Sequence, residues 1–289
     1  MTGRPARRSP WRAVLLAAWL LLPGPVAAQG DPCRSPELLD LGAFAAELAG
    51  REVTFVASSP AGRCWVTDPS AARQRHTPWS TFKVPHLLIA LETGAARGLD
   101  EPIAWSPRVH LRQDHWPADW AQDQTLESAF RRSAVWYFQA LVPRIGAPAY
   151  ARWLERFHYG NARAGAGSDE FWLDGTLSIS PLEQVVFLDC VARLGCGASP
   201  GSVEALEVAA LERESGASRL YGKTGAGPLR RGDMDGPWEG WFVGYVRDEG
   251  GGAWPFALFV RGPSFASIGA FRREMAVRLL GTIGAWPTG

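Results

Sequence analysis

The sequence predicts an α/β fold: an antiparallel β-sheet flanked by helices, with an all-helical lobe inserted into it. Three observations carry this. β-rich runs sit towards both ends of the chain, at Val53 to Ser59 and Arg63 to Thr67, then at Arg219 to Thr224, Gly240 to Val246 and Trp254 to Arg261. The stretch between them, from about 95 to 200, carries several helical patterns and almost no strand period. A last amphipathic run, Phe265 to Ile283, supplies a helix to cover the sheet.

Taken in order, the elements begin after a leader. Arg4, Arg7, Arg8 and Arg12 precede the apolar stretch Ala13 to Leu22, Pro23-Gly24-Pro25 breaks it, and Val26-Ala27-Ala28 fits a small-residue cleavage site. Residues 1–28 therefore read as a cleaved signal peptide, too short in its apolar part to span a bilayer. Arg7-Arg8 hints at a twin-arginine signal, but Pro10 favours the ordinary secretory kind. Residues 29–289 are left as the folded domain, in a periplasmic or secreted setting with no stable membrane anchor.

The first two β-runs form a hairpin around Pro60-Ala61-Gly62. Ser80 to Thr93 is a helix with Val84, Leu87, Leu88 and Leu91 on its apolar face, closed by Gly94 and loosened in its first turns by Pro85. Thr125 to Leu141, Ala147 to Phe157 and Leu182 to Leu194 follow as helices, the third started by Ser180-Pro181 with Glu183 in its first turn. Another helix is expected near Val203 to Glu214. Asp248-Glu249-Gly250-Gly251 turns the last two strands into a hairpin.

Composition excludes several classes of function. With 30 basic and 29 acidic residues the net charge is +1, which gives no footprint for nucleic acid or an anionic membrane. Fourteen tryptophans point to a Trp-rich core in preference to an aromatic surface. Cys33, Cys64, Cys190 and Cys196 allow three disulfide pairings, of which Cys33–Cys64 with Cys190–Cys196 is the most local. No cysteine or histidine spacing suits a metal, and His110 and His115 are five apart, off a common helix face. Oligomeric state is not legible.

Four short motifs carry the chemistry. Ser80-Thr81-Phe82-Lys83 places a hydroxyl and an amine three residues apart on one helix face, where a lysine of lowered pKa can activate a serine. Alone, Ser80 reads better as an N-cap of the following helix. Ser133-Ala134-Val135 lies within a helical pattern, and Tyr159-Gly160-Asn161 in a loop. Lys223-Thr224-Gly225, followed by Ala226, ends a strand where a lysine, a hydroxyl and a glycine suit a carboxylate and close backbone approach.

In this order the four motifs resemble the penicillin-recognising serine enzymes, and specifically the class D (oxacillinase-type) β-lactamases. The likeness extends through Pro78 to Pro85, Leu88 to Gly94, Phe171-Trp172-Leu173-Asp174-Gly175 and Ile179 to Gln184, covering the chain from about residue 50 to the last helix. It implies a periplasmic enzyme acting on small β-lactams, with Ser80 as the acylated nucleophile and no metal. Lys83 would be carboxylated on its amine by CO2 or bicarbonate, held by the Trp172 indole and kept uncharged among Phe82, Val84 and Val135. Ser133 would relay a proton, and the backbone N–H groups of Ser80 and Ala226 would form an oxyanion hole. Lys223 and Thr224 would bind the substrate carboxylate beside Gly225. An arginine of the last helix would join them, with Arg272 aligning best and Arg273 adjacent. The residues after Asn161 depart from the family's usual continuation, which leaves substrate preference open, and the loops His110 to Trp120 and Arg230 to Trp238 are expected to set it. Related sensor domains acylate without turnover and D,D-peptidases share the motifs. Both are weaker readings, since the one apolar segment is a cleavable leader.

Overall fold

The computed structural model describes residues 1–3, 33–110, 116–165 and 167–287. The expected leader lies outside them but for its first three residues. Every element below belongs to the unit Asp31–Gly289.

The N-terminal part contributes β1 (Glu37–Leu38), α1 (Ala45–Leu48) and the predicted hairpin, β2 (Glu52–Ser58) with β3 (Cys64–Val66). After α2 (Lys83–Glu92) come β4 (Pro102–Ile103) and β5 (Gln124–Thr125), a small ribbon of their own. The helical lobe continues with α3 (Leu126–Arg132), α4 (Val135–Ile145), α5 (Ala147–Arg156), α6 (Pro181–Ala192) and α7 (Pro200–Ala210). The chain then returns to the sheet as β6 (Leu211–Ser215), β7 (Ser218–Pro228), β8 (Trp238–Arg247) and β9 (Ala253–Gly262), and ends in α8 (Phe265–Ile268) and α9 (Phe271–Thr282).

Seven strands pair in the order β1-β3-β2-β9-β8-β7-β6. Only β1 and β3 run parallel. Period-two alternation gives each face its own core. Phe242, Val246, Phe256, Leu258 and Val260 pack against Met275, Leu279 and Leu280 of α9. Trp241, Val243, Tyr245, Ala257 and Phe259 point the other way, into the helical lobe. The sheet joins N- and C-terminal strands through the β2–β9 pair, as the predicted topology requires.

Four boundaries differ from the sequence reading. The helix expected over Thr125 to Leu141 is two helices, broken at Ser133, which is left-handed at φ 62°. A break of two residues, Ser133 and Ala134, leaves the apolar period almost intact, so pattern alone runs through it. The helix expected to Glu214 stops at Ala210, because Leu211–Ser215 pairs with β7 as an edge strand. That strand is polar and half-exposed, so it lacks the alternation that marks a buried one. The terminal helix is likewise interrupted at Gly269. The loosening expected from Pro85 takes the form of a 3-10 turn over Trp79–Phe82, with the proline in the first turn of α2. There its missing N–H costs little.

The helix starts follow their local chemistry. Ser180 and Glu183 form the expected capping box on α6, and Thr125 with Ser128 forms another on α3. Both disulfides of the most local pairing are present, Cys33–Cys64 and Cys190–Cys196, with Cα separations of 5.2 and 5.4 Å.

Candidate active site

The 3-10 turn that carries Ser80 is held from both sides. Trp79 enters it in a left-handed conformation (φ 51°), and its indole donates a hydrogen bond to the Glu239 carboxylate at 3.0 Å. Thr81 donates to the Pro78 carbonyl (2.6 Å) and accepts from Gln184 (3.1 Å), whose amide also donates to Tyr159 (3.3 Å). Ser80 caps nothing, so the capping alternative falls away. Its hydroxyl instead accepts from the Lys83 amine at 2.9 Å.

Lys83 is fully buried. Phe82 precedes it in the core, and the Phe138 ring lies 5.3 Å from its amine. Burial, and secondly the nearby Lys223, push its pKa well below the ordinary lysine range, which favours a neutral amine. Trp172 is buried and stacked on Phe82, and its indole N–H has no hydrogen-bond partner among the described residues. A buried unpartnered donor is an unmet polar demand of a kind native cores rarely tolerate.

A second lane of residues comes from β7. Its lobe-facing positions read Tyr221, Lys223, Gly225, Gly227, so the strand carries no side chains on that face just where the Ser80 turn lies on it. A Cβ at Gly225 would come within 3.0 Å of Ser80 N, 2.9 Å of Thr81 N and 2.8 Å of the Pro78 carbonyl. One at Gly227 would strike the Trp79 ring at 2.3 Å. Lys223 is buried and donates to Ser133 Oγ at 3.1 Å, across from the left-handed break between α3 and α4. Burial, then the neighbouring Arg272 charge, lowers its pKa to about 7. On its far side β7 pairs with β6 only over Ser218 to Tyr221. From Gly222 to Pro228 that edge has no strand partner among the described residues.

These residues open onto a cleft of about 450 Å³ that includes Ser80, Val135 and Ala226. Its walls hold Trp79, Trp116, Trp120 and Trp238. The Trp-rich core is real, with Trp136, Trp172 and Trp241 fully buried, but these four tryptophans are a cleft lining that composition alone did not separate from it. Glu170 and Arg231, on opposite loops of the cleft, are bonded at 2.7 Å. Both loops expected to set substrate preference contribute to the walls, although residues 111–115 lie outside those described.

The two candidate arginines separate cleanly. Arg273 is held by two hydrogen bonds to Glu212, at 2.9 and 3.1 Å. Arg272 is buried, its Nε and Nη1 have no partner among the described residues, and burial lowers its pKa to about 10. Its guanidinium lies along Gly240, the register partner of Ala226. Thr224 faces a small polar cavity shared with Lys223, Glu212 and Arg273.

Tyr159-Gly160-Asn161 stays away from the cleft. Tyr159 is buried with its ring edge-on to Phe82, and Asn161 ties Thr176 and Ser178 to the loop. The motif braces the nucleophile turn from behind. Two groups escaped the sequence reading. Glu239 anchors Trp79, and it sits in a strand pattern that gave no hint of its partner. His86, buried three residues after Lys83, shares its helix face, and that i,i+3 spacing was the available signal.

Comparison with known proteins agrees with this geometry. Residues 57–275, most of the chain, match the model of the penicillin binding protein transpeptidase domain. The chain is 37% identical over 187 residues to YbxI of Bacillus subtilis (strain 168), described as a probable beta-lactamase, covering 65% of this chain and 66% of that protein. It is 34% identical to beta-lactamase OXA-2 of Salmonella typhimurium, over 77% of this chain and 75% of the other. A 34% identical match to the regulatory protein BlaR1 of Bacillus licheniformis covers 74% of this chain but only 34% of that longer protein. The solved structure of a class D beta-lactamase from Bacillus subtilis superimposes with a TM-score of 0.72 at 32% identity, covering 84% of this chain and 96% of that one. With the serine–lysine pair, the facing Ser133–Lys223 bridge and the mixed sheet all in place, the chain belongs to the class D β-lactamases, a family of metal-independent serine hydrolases built on the penicillin binding protein transpeptidase domain.

Proposed function

We propose that the protein hydrolyses the amide bond of β-lactams through an ester on Ser80, with the amine of Lys83 carboxylated by CO2 and serving as general base. The single observation that carries the reading is the contact between Lys83 and Ser80 inside an apolar cage whose Trp172 indole donor is unpartnered. A neutral buried amine is the form that reacts with CO2, and a carbamate answers the unmet donor. When present, that group supplies a carboxylate-like base at a site that otherwise holds only an amine of depressed pKa.

The residues divide the remaining work. Ser80 Oγ loses its proton towards the Lys83 side and attacks the lactam carbonyl. The backbone N–H groups of Ser80 and Ala226 receive the developing oxyanion, a contribution of about 2.7–4 kcal/mol per donor. As the C–N bond breaks, Ser133 delivers a proton to the departing nitrogen, drawing on its bond from Lys223. Lys223, Thr224 and Arg272 hold the substrate carboxylate. Arg272 is preferred to Arg273 because Glu212 already engages the latter. Water then cleaves the ester, again with its proton taken on the Lys83 side.

The proposal includes the place of action. Removal of residues 1–28 on export would release the domain 29–289 to the periplasm or the medium. Two disulfides are what an oxidising compartment permits. Among the described residues no helix is long and apolar enough to cross a membrane.

The relationship to BlaR1 favours one second reading, a β-lactam acyl-trap without efficient turnover. Steady-state hydrolysis of a chromogenic cephalosporin by the mature protein, with and without bicarbonate, separates the two. Turnover that rises with bicarbonate is the expected result. A stoichiometric, long-lived acyl-protein with no steady-state hydrolysis would overturn the enzyme reading.

A further inference from the structure

Around Lys83 lies a second unmet donor that the mechanism above leaves unused. His86 is fully buried and follows Lys83 by three residues, so both side chains leave the same face of α2. Its ring is enclosed by aromatic groups: Phe82 at 5.3 Å, Phe138 at 5.0 Å, Tyr150 at 5.4 Å and Trp172 at 5.4 Å between centroids. Phe138 is the ring that also underlies the Lys83 amine, and Trp172 carries the other unpartnered N–H. His86 therefore belongs to the cage of the proposed base and not to a remote part of the core.

The tautomer follows from hydrogen-bond counting. His86 Nε2 lies 2.6 Å from the Tyr150 hydroxyl, and Nδ1 has no partner among the described residues. Burial, then the Lys83 charge, lowers the His86 pKa well below its ordinary value, so the ring is neutral with a single N–H. Burial likewise raises the Tyr150 pKa, so the phenol keeps its proton. That hydroxyl has no other acceptor among the described residues. If it donates to Nε2, the ring proton sits on Nδ1 and one donor is left over. If Nε2 donates instead, the phenol proton and the Nδ1 lone pair are both stranded. The first arrangement strands fewer groups and is favoured.

We infer that His86 is a positioning residue for the carboxylated lysine: its Nδ1–H, fixed by Tyr150, and the Trp172 indole N–H are two donors that hold the carbamate oxygens. The inference rests on the function proposed above and adds a residue to it. A carbamate offers two oxygens with several lone pairs, so it can satisfy both buried donors while leaving a site for Ser80. The four rings around His86 make this an apolar enclosure. Tyr150 also lines a separate cavity behind the cage, with Gln139, Ser168 and Asp169, so the outer end of this relay lies near that cavity and away from the substrate cleft.

The test reads the modification itself. Mature protein is titrated with 13C-bicarbonate at fixed pH, and the carbamate carbon is followed by NMR to give the CO2 concentration at half-modification. His86→Leu and His86→Asn are nearly isosteric and differ in the N–H, so their comparison isolates the donor. Leucine is expected to raise the half-point about tenfold, the effect of stranding or losing one buried hydrogen bond, and asparagine to keep it within about threefold of the parent. Tyr150→Phe, which removes the hydroxyl and keeps every ring of the cage, is expected to raise it about threefold by freeing the tautomer, and it carries the test if the leucine variant does not fold. Equal half-points for parent, His86→Leu and Tyr150→Phe would overturn the inference and leave the carbamate intact. Absence of any carbamate signal in the parent would overturn the proposed base as well.

Discussion

The two faces of the sheet bury very different material. Against α9 the core is aliphatic and aromatic throughout, and apart from Arg272 at its rim it takes in little that is polar. Facing the helical lobe, the core encloses Lys83, His86, Thr81 and Gln184, and it contains donors that the protein itself leaves unpaired. A core evolved only for stability would resemble the apolar packing of the first face, where unmet donors among the described residues are confined to Arg272 at the rim, since each such donor costs about 1–3 kcal/mol. The buried polar groups are concentrated on the lobe side, and α9 with its sheet face supplies the apolar anchor.

The largest expected effect breaks this contrast by making the lobe core apolar. Lys83→Met should lower chromogenic cephalosporin turnover by about 10⁴-fold or more, with no response to bicarbonate, because base and modification site go together. The same variant should unfold at higher denaturant, by about 1–3 kcal/mol, since a buried amine is replaced by a packed thioether chain. Near-normal turnover would show that Lys83 is not the base. Leu279→Ala, on the other face, should cost about 2–5 kcal/mol of stability while the folded fraction keeps its turnover number. Urea unfolding beside active-site titration measures both, and a fall in turnover per folded molecule would deny that the two cores are separable.

A smaller effect is expected at the strand that joins the halves. Gly225→Ala pushes a methyl into the nucleophile turn, where backbone atoms of Pro78, Ser80 and Thr81 already lie within about van der Waals reach. Acylation by a chromogenic cephalosporin should slow on the order of tenfold from misplacement of Ser80. An unchanged acylation rate would show that the turn yields freely. The smallest effect concerns acid. Burial and then the adjacent Arg261 hold the His76 pKa at about 4, and its Nδ1 lies 3.2 Å from that guanidinium. The unfolded chain thus binds the proton first, so this contribution is complete above about pH 6.5 and is lost as pH falls towards 4. His76→Asn should flatten that part of the stability profile, and identical slopes between pH 6.5 and 4 would remove His76 from the account.

What the sequence revealed follows from how local each cause is. The Ser180–Glu183 capping box, the hairpin turn at Asp248 and the alternation of β8 and β9 are written within a few neighbouring residues, and all were read. So were Ser80 and Lys83, because one helical turn sets their contact. The split at Ser133 escaped because a single left-handed residue leaves the surrounding period unchanged. Glu239 with Trp79 escaped because the pair is 160 residues apart in the chain. The different surroundings of Arg272 and Arg273 come from Glu212, a residue on a strand that had been read as helix. Long-range pairing, not chemistry, is where the reading ran out.

The outer edge of β7 has a consequence for solubility. Most of the sheet's rim is closed: β1 covers β3 at one end, and β6 covers the first part of β7 at the other. From Gly222 onward β7 has no strand partner on that side among the described residues, and an open strand edge is what drives one chain to adhere to another. Here it runs beside the cleft at Gly225 to Pro228, where Arg231 and the wall of tryptophans restrict what can approach. An occupant of the cleft would therefore also cover this open strand edge.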